Sequence, residues 1–195
     1  VIAFQTRNIP HLGHEKIIKH YLSKNYTVVV NPLLGPKKKG DIKSKYLIKF
    51  YLYLKKKYKN KNLYIEPIIV NMFYAGPREA MHHANVRQMF GFRYFIIGRD
   101  HAGAENAYNK DMAIKYAKKY RKKFKIKLNL LQGSYYCSKC DKIILFENCI
   151  NNHKRYLKDI SGSKFRDCMN KKKLFKFADK KLQMFMFKQK KNIFY

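Results

Sequence analysis

The sequence predicts an α/β protein in which helices cover a parallel β-sheet. Five short apolar runs, each bounded by turn residues, have the length and composition of buried strands. Stretches in which apolar residues recur at helical spacing lie between successive runs, so the order is β-α-β-α-β-α-β-α-β. Short connections between alternating elements favour a parallel sheet that binds ligands beyond the carboxyl ends of its strands, near a topological switch point.

Local signals support each element in chain order. The predicted strands cover residues 1–4, 27–30, 63–70, 94–97 and 126–131. The predicted helices cover residues 11–22, 42–58, 77–89 and 111–124. Pro77 suits the first turn of its helix, and Asp111 complements the positive end of the next helix. Residues 160–169 can form a further helix, whereas no signal places residues 171–195.

The composition indicates a folded and soluble protein. Hydrophobic residues make up 46% and aromatic residues 15% of the 195 residues, which is too much for a disordered chain. This length suits one domain with a small appendage. No apolar run approaches the roughly 20 residues that cross a bilayer, and the N-terminus has no secretory pattern. We therefore expect a cytoplasmic location and no membrane partner.

The formal net charge of +32 comes from 44 basic and 12 acidic residues. Such a charge is typical of proteins that bind nucleic acid. Lysine, however, is spread over almost every segment together with Ile, Asn, Tyr and Phe, the residues that A- and T-rich codons encode. No DNA- or RNA-reading motif accompanies the charge, so we expect an anionic small substrate and no specific nucleic acid.

The segment QTRNIPHLGHE, residues 5–15, directly follows the first predicted strand. Its proline favours a helix start at which His11 and His14, three residues apart, lie on one face. Gly13 between them allows close approach of a ligand. Unpaired N–H groups at a helix start favour an anion, and the imidazoles with Arg7 add donors for charge that develops on phosphorus. The alternative is an ordinary helix start with two surface histidines.

A second motif, GRDHAG at residues 98–103, follows the fourth predicted strand. Because parallel strands end at one edge of a sheet, we expect Arg99 and His101 to emerge beside Gln5 and Arg7, so that the two loops converge. The Arg99 guanidinium can pair bidentately with an oxyanion. The aspartate between these two residues is better suited to orient the loop than to act as a catalytic base.

The segment ISGSKFR, residues 160–166, offers a further anion site. Ser161, Gly162 and Ser163 can form a backbone nest at a helix start. Arg166 lies one turn later, where its guanidinium can reach a polyphosphate. This segment therefore adds donors for a nucleotide.

Four potential metal ligands fall within an irregular stretch that interrupts the alternating pattern: Cys137, Cys140, Cys149 and His153. Three thiolates and one imidazole are the donor set of a closed tetrahedral zinc site. We therefore predict an inserted zinc knuckle at about residues 135–155, in which the zinc is structural. Buried reduced thiols are the alternative, and Cys168 has no predicted partner.

Five segments, in the same order, resemble the sequence blocks of ATP sulfurylases, which are members of the nucleotidylyltransferase superfamily. They are QTRNIPHLGHE, PLLGPKKKGDI at residues 32–42, YAGPREA at residues 74–80, GRDHAG and ISGSKFR. The resemblance implies a catalytic domain in residues 1–170 with a Rossmann-like parallel sheet, and an unassigned tail in residues 171–195. The N-terminal β-rich domain of the family is absent from this sequence. A branch of the family has a similar Cys3His zinc site, which supports the predicted knuckle.

The resemblance also implies roles for individual residues. It assigns sulfate binding to Gln5, Arg7, Arg99 and the backbone amide of Ala102. It assigns catalysis to Thr6, Arg7, Asn8, His11, His14 and Arg99. The nucleotide-binding residues implied by the resemblance are joined by two from the anion site of the ISGSKFR segment. The predicted set is Gln5, Asn8, His11, His14, Gly98, Asp100, His101, Ser161 and Arg166.

The implied reaction is direct attack of a sulfate oxygen on the α-phosphorus of ATP, which gives adenylyl sulfate and pyrophosphate. Sulfate is already ionised at neutral pH, so alignment and charge stabilisation replace a general base. With 12 acidic residues and no carboxylate cluster, Mg²⁺ should arrive bound to ATP. The family also implies a homo-oligomer. Two alternatives stay open: another H-x-G-H adenylyltransferase with a different acceptor, and a degenerate basic zinc protein that binds RNA.

Overall fold

The computed structural model describes residues 1–103, 107–160, 162–189 and 192–195. Its main sheet has five parallel strands: β1 (Ile2–Thr6), β2 (Val28–Pro32), β3 (Leu63–Ile65), β4 (Tyr94–Gly98) and β5 (Lys127–Leu131). The strand order is β3-β2-β1-β4-β5, so the chain builds outward from β1 on one side and then continues with β4 on the other. The predicted α/β class with a parallel sheet is confirmed. The topological switch point lies between β1 and β4.

Helices connect successive strands of this sheet: α1 (Leu12–Leu22), α2 (Ser44–Tyr58), α3 (Pro77–Met89) and α4 (Met112–Tyr120), which continues as a 3-10 turn, Arg121–Lys123. Side chains alternate along each strand, so the helices cover both faces. Ile2 and Phe4 pack with α1 and α2, whereas Ala3 and Phe95 pack with α3 and α4. With both faces covered, the ends of the strands are left for ligands.

The third strand is shorter than predicted. β3 ends at Ile65, although the apolar run continues to Val70. Pro67 lacks the N–H that a ladder requires, and pairing resumes only as an isolated bridge between Leu33 and Ile68. The proline therefore outweighs the hydrophobic pattern.

The stretch expected to be irregular contains a second sheet. Its antiparallel strands are β6 (Ser134–Cys137), β7 (Lys142–Leu145) and β8 (Leu157–Asp159), in the order β7-β6-β8. Two 3-10 turns lie between β7 and β8, Phe146–Asn148 and Asn151–Tyr156. The expectation of irregular structure was wrong, because strands of three or four residues are too short to give a recognisable alternating pattern.

The C-terminal part of the chain also belongs to the core. The helix predicted over residues 160–169 is present as α5 (Gly162–Asn170), whereas α6 (Lys180–Phe187) lies in residues 171–195, for which no structure was predicted. Asp179 caps α6, since its side chain accepts a hydrogen bond from the Leu182 N–H at 2.7 Å. The Phe185 ring meets Phe50 of α2 edge-on, with ring centroids 5.9 Å apart. In the described part of the chain, no helix is both long enough and apolar enough to cross a membrane.

Candidate active site

A cavity of about 260 Å³ lies at the carboxyl ends of β1 and β4. Its walls come from the loops after these strands, the first turn of α1 and the start of α5. The lining includes most of the predicted site residues: Gln5, Thr6, Arg7, Asn8, His11, His14, Gly98, Asp100, His101 and Ala102. Arg99 and Arg166 do not line it, and Ser161 lies outside the described residues.

Arg7 joins the loop after β1 to the loop after β4. Its Nη2 donates to the Gly103 carbonyl at 3.1 Å, and its guanidinium carbon lies 5.0 Å from the centroid of the Tyr74 ring. The expected convergence of the two loops is therefore confirmed. Ala102 in the second loop has φ +56°, a left-handed conformation that is uncommon for a residue with a Cβ. Such backbone conformations concentrate at ligand sites.

A buried carboxylate, Asp41, holds the cationic side chains in place. Its side chain is 1% exposed. Arg7 Nη1 donates to its two oxygens at 3.0 and 3.2 Å, and Arg166 Nη1 donates at 3.2 Å. The Tyr74 hydroxyl donates at 2.8 Å. Asp41 thus connects the loops that follow β1, β2 and β3 to α5, and sequence reasoning did not single it out.

Thr6 and Asn8 determine the shape of the loop after β1. The Thr6 hydroxyl accepts hydrogen bonds from the Asn8 N–H and from the Tyr51 hydroxyl, both at 3.2 Å. Asn8 Oδ1 accepts from Arg166 Nη1 at 3.4 Å. The Thr6 hydroxyl therefore stabilises the loop and connects it to α2, whereas the Asn8 side chain contacts α5.

His11 and His14 form a reciprocal cap at the start of α1. His11 Nδ1 accepts from the N–H groups of Gly13 and His14 at 3.1 and 3.3 Å, and His14 Nδ1 accepts from the His11 N–H at 3.4 Å. The rings stack with their centroids 3.8 Å apart. Burial lowers the pKa of both rings, that of His14 to about 4. A neutral ring that accepts at Nδ1 carries its proton on Nε2, so each histidine retains one N–H donor.

Gly13 is required for packing within the protein. A Cβ at this position would lie 2.4 Å from Ser134 Oγ of β6 and 2.9 Å from Cε1 of the His11 ring. These contacts give a packing reason for the glycine, and the expectation that it also allows a ligand to approach stays a prediction. The glycine lets the second sheet and the His11 ring pack against the first turn of α1.

Arg99 extends toward the second sheet in this structure. Its Nη2 donates to Asp159 Oδ1 of β8 at 2.7 Å, and its guanidinium carbon lies 5.0 Å from the Tyr135 ring centroid. Arg7 and Arg99 thus come from converging loops, but their guanidinium groups have separate carboxylate partners, Asp41 and Asp159. The Arg99 side chain borders the site without lining the cavity.

Asp100 lies within the loop after β4. A Cβ on Gly103 would come within 2.0 Å of Asp100 Oδ1, so the glycine leaves room for this carboxylate. Burial raises the pKa of Asp100, and the nearby side chains of Arg7, Lys110 and Arg99 oppose that rise. Asp100 is therefore a solvent-accessible carboxylate near the cationic groups of the two loops.

Sequence reasoning missed a polar group on α3. Glu79, His83 and Arg87 recur every four residues, and all three are buried. His83 contacts both Gln5 and His101, which line the cavity. The sequence did contain a signal. A helix that packs against a sheet normally has a continuous apolar face, and the sequence of α3 lacks one.

Potential metal ligands cluster in the second sheet: Cys137, Cys140 and His153. Their ligand atoms lie within 4.8 Å of one another, and Cys140 Sγ is 3.2 Å from His153 Nδ1. The fourth predicted ligand, Cys149, is buried, but its thiol is not one of the ligand atoms that share this spacing. This group could hold a metal ion. Cys168 packs against the core of the main sheet instead.

Comparison with known proteins gives a consistent set of relatives. A family model described as ATP-sulfurylase matches residues 1–176. Two proteins described as sulfate adenylyltransferase, from Pyrococcus abyssi and Ignicoccus hospitalis, are 40% and 41% identical over 86% and 85% of this chain. A third, from Persephonella marina, is 35% identical over 85% of the chain. The matches cover 44%, 43% and 43% of these proteins, so the chain spans less than half the length of the curated relatives it matches.

The fold is also similar to that of a solved structure described as "Hexameric APS kinase from Thiobacillus denitrificans". The TM-score is 0.71, and the match covers 97% of this chain and 36% of that chain. Because the sequence identity is 14%, this likeness shows the fold alone.

Replacing Asp41 by Asn removes the charge that Arg7 and Arg166 share and keeps the shape of the side chain. We expect the free energy of unfolding to fall by about 3 kcal/mol, because two guanidinium groups lose their buried carboxylate partner. Urea denaturation measures the loss. The control is Asp167→Asn, which removes an exposed ion pair with Lys171 and should change stability by less than about 0.5 kcal/mol. Equal losses in the two variants would refute the role of Asp41.

Proposed function

This chain belongs to the ATP-sulfurylase family, and from that membership we propose that it transfers the adenylyl group of ATP to sulfate. The products are adenylyl sulfate and pyrophosphate. The observation that carries the proposal is the meeting of the loops after β1 and β4 around one cavity, which the H-x-G-H histidines and Arg7 line. Because the chain covers less than half of its relatives, their activity supports the proposal and does not replace a test.

Sulfate binding is assigned to Gln5, Arg7 and the backbone amide of Ala102. Amide and guanidinium N–H groups stabilise an oxyanion without any proton transfer. Arg7 keeps bonds to Asp41 and Gly103, which fix the plane of its guanidinium beside the cavity. A donor held in this way needs little reorganisation when the anion arrives.

Arg99 is proposed as the second guanidinium that binds sulfate. It is paired with Asp159, whose side chain is 42% exposed and therefore partly screened by water. A sulfate dianion in the cavity carries more charge and can compete for this guanidinium. The exchange would bring Arg99 toward Arg7 across the cavity.

His11 and His14 are proposed to bind the phosphates of ATP. Their Nε2–H groups lie at the start of α1, where the helix dipole also favours an anion. Because burial keeps the rings neutral, they act as hydrogen-bond donors rather than as proton donors. The remaining nucleotide contacts are assigned to Gln5, Asn8, Gly98, Asp100, His101 and Arg166.

In the proposed mechanism a sulfate oxygen forms a bond to the α-phosphorus while the bond from that phosphorus to the bridging oxygen of pyrophosphate breaks. The electron pair of the broken bond leaves with pyrophosphate. Sulfate is ionised before it binds, so no residue has to remove a proton. The chain contributes alignment of the two reactants and donors that stabilise the negative charge on the phosphoryl oxygens. Thr6 contributes through the shape of its loop.

Mg²⁺ is proposed to bind as part of the nucleotide, where it offsets the charge of the phosphates. Among the described residues, the cavity has no cluster of carboxylates that could hold this ion. Asp41 is already engaged by two guanidinium groups. Near the phosphates the chain itself therefore provides cationic and neutral hydrogen-bond donors.

Zinc is the proposed occupant of the cluster in the second sheet, with Cys149 as the fourth ligand. Three thiolates and one imidazole fit a closed tetrahedral site. Such a site would stabilise the sheet that carries Asp159, the partner of Arg99, and Ser134, which packs on Gly13. The zinc is thus structural. Its loss would destabilise the second sheet and so disturb the contacts that this sheet makes with the active site.

We also propose that residues 1–170 form the catalytic domain, with the zinc knuckle at about residues 135–155. The C-terminal residues 171–195 contribute side chains to the same core. The whole protein is proposed to form a homo-oligomer, and the structurally similar APS kinase is described as hexameric.

The purified chain should form ATP from adenylyl sulfate and pyrophosphate, which luminescence detects. It should also release pyrophosphate from ATP only when sulfate is present. His14→Ala should lower kcat by a factor on the order of 10², because a hydrogen-bond donor to the phosphoryl oxygens is removed. The matched control is His20→Ala, on the same helix but outside the cavity lining, which should retain the wild-type kcat.

No ATP formation by a wild-type chain with a folded circular dichroism spectrum would overturn the proposed activity. Pyrophosphate release that depends on another acceptor and not on sulfate would indicate a different adenylyltransferase. Salt-sensitive RNA binding without turnover would indicate the RNA-binding alternative. Equal kcat values for His14→Ala and His20→Ala would remove His14 from the mechanism.

Elemental analysis should find one zinc per chain. Cys140→Ser should lose the zinc and lower Tm, because metal binding is coupled to folding of the second sheet. The matched control is Cys168→Ser, outside the cluster, which should retain the zinc. Zinc-free wild-type protein, or full zinc content in Cys140→Ser, would refute the assignment.

A further inference from the structure

Glu79, His83 and Arg87 form a buried polar row on α3, in which successive residues are one helical turn apart. His83 and Arg87 are 0% exposed, and Glu79 is 2% exposed. Burial of such groups lowers stability unless their partners compensate, and a helix that only packed on the sheet would carry apolar residues here. Buried ionisable groups next to a cavity are characteristic of functional sites.

Glu79 fixes one end of the row. Its carboxylate accepts hydrogen bonds from the backbone N–H groups of Phe73 and Ala75 at 3.0 and 2.8 Å. Its Oε1 lies 3.4 Å from His83 Nε2, close enough for electrostatic attraction although the two atoms do not form a hydrogen bond. A carboxylate beside Nε2 favours the tautomer that carries the proton on that nitrogen. The Nδ1 of His83 is then an acceptor.

His83 determines how the Gln5 amide is oriented. Gln5 Nε2 lies 2.7 Å from His83 Nδ1, and the described residues provide no other side-chain partner for this amide. Because Nδ1 accepts, Gln5 must turn its NH2 group toward His83 rather than its carbonyl oxygen. One N–H is used in this bond, and the second N–H is left for a partner in the cavity that Gln5 lines.

The surroundings of His83 keep its ring neutral. Burial, followed by the neighbouring His101, Arg87 and His82, lowers the pKa of His83. His101 Nε2 lies 3.2 Å from His83 Nδ1, on the side of the loop after β4. The terminal nitrogens of Arg87 have no hydrogen-bond partner among the described residues, so its charge next to His83 is not neutralised by a carboxylate. A protonated ring would present a donor at Nδ1 and repel the Gln5 amide.

We propose that His83 is a positioning residue that orients the Gln5 amide so that one of its N–H groups faces an oxyanion in the cavity. This inference rests on the proposed role of Gln5 in sulfate binding. It gives α3 a part in substrate recognition although no residue of the polar row lines the cavity.

The test compares two substitutions at His83. His83→Leu fills most of the space but removes the acceptor, so the Gln5 amide loses its fixed orientation. His83→Asn places an amide oxygen near the position of Nδ1 and should restore the acceptor. Both variants lose the contact with Glu79, so the difference between them reports the bond to Gln5. His82→Leu and His82→Asn, at the exposed neighbouring position, are the matched controls.

His83→Leu should raise the KM for sulfate about tenfold, equivalent to about 1.4 kcal/mol, and should leave the KM for ATP nearly unchanged. His83→Asn should recover most of the sulfate affinity, and both His82 variants should match the wild type. A merely structural role would affect the two substrates alike and would not separate Asn from Leu. That outcome would overturn the inference.

A second readout does not depend on turnover. In nitrogen-15 NMR spectra, the Gln5 side-chain amide should give two resolved proton signals that shift when inorganic sulfate is added. We expect this in the wild type and in His83→Asn but not in His83→Leu. If these shifts appear in the wild type and in His83→Asn but not in His83→Leu, and the wild type transfers no adenylyl group, the proposed function fails and the positioning role stands. If the wild type shows no sulfate-dependent shift, or His83→Leu behaves like the wild type in both readouts, the positioning role is overturned.

Discussion

One buried carboxylate determines the geometry of the candidate site. Asp41 receives hydrogen bonds from Arg7, Arg166 and the Tyr74 hydroxyl, and these groups come from three separate parts of the chain. Without this charge the two guanidinium groups would repel each other, and neither would have a defined orientation. With it, Arg7 can bridge to Gly103 and close the gap between the loops after β1 and β4. The position of the cavity at the switch point follows from the strand order, but its cationic lining depends on Asp41.

The site combines fixed positive charge with buried neutral donors. The guanidinium groups remain charged, whereas burial holds His11, His14 and His101 in their neutral forms. Neutral imidazoles that accept at Nδ1, as those of His11 and His14 do, donate from Nε2, so they stabilise an anion without exchanging protons with it. This combination suits a reaction in which negative charge shifts between oxygens and no proton moves. The second sheet supports this arrangement, because Asp159 contacts Arg99 in the loop after β4 and Ser134 packs against Gly13 in the first turn of α1.

The strands and helices of the main sheet could be predicted because apolar periodicity is local and the alternating order allows few topologies. The convergence of the loops after β1 and β4 followed from the same rule. Asp41 and His83 could not be predicted, because Asp41 is 34 residues from Arg7 and His83 is 78 residues from Gln5 in the sequence. No local pattern encodes such pairings. The pairing of Arg99 with Asp159 is equally remote in sequence, at 60 residues, and so the separate orientation of its guanidinium was not expected.

The candidate site is tested most directly by a crystal structure of the chain with adenylyl sulfate bound. If the loops after β1 and β4 form the active site, the sulfuryl group contacts Gln5 and Arg7, and the phosphate lies beside His11 and His14 at the start of α1. Adenylyl sulfate bound elsewhere on the molecule, or bound in the cavity with its sulfuryl group turned away from the loops after β1 and β4, would contradict this arrangement.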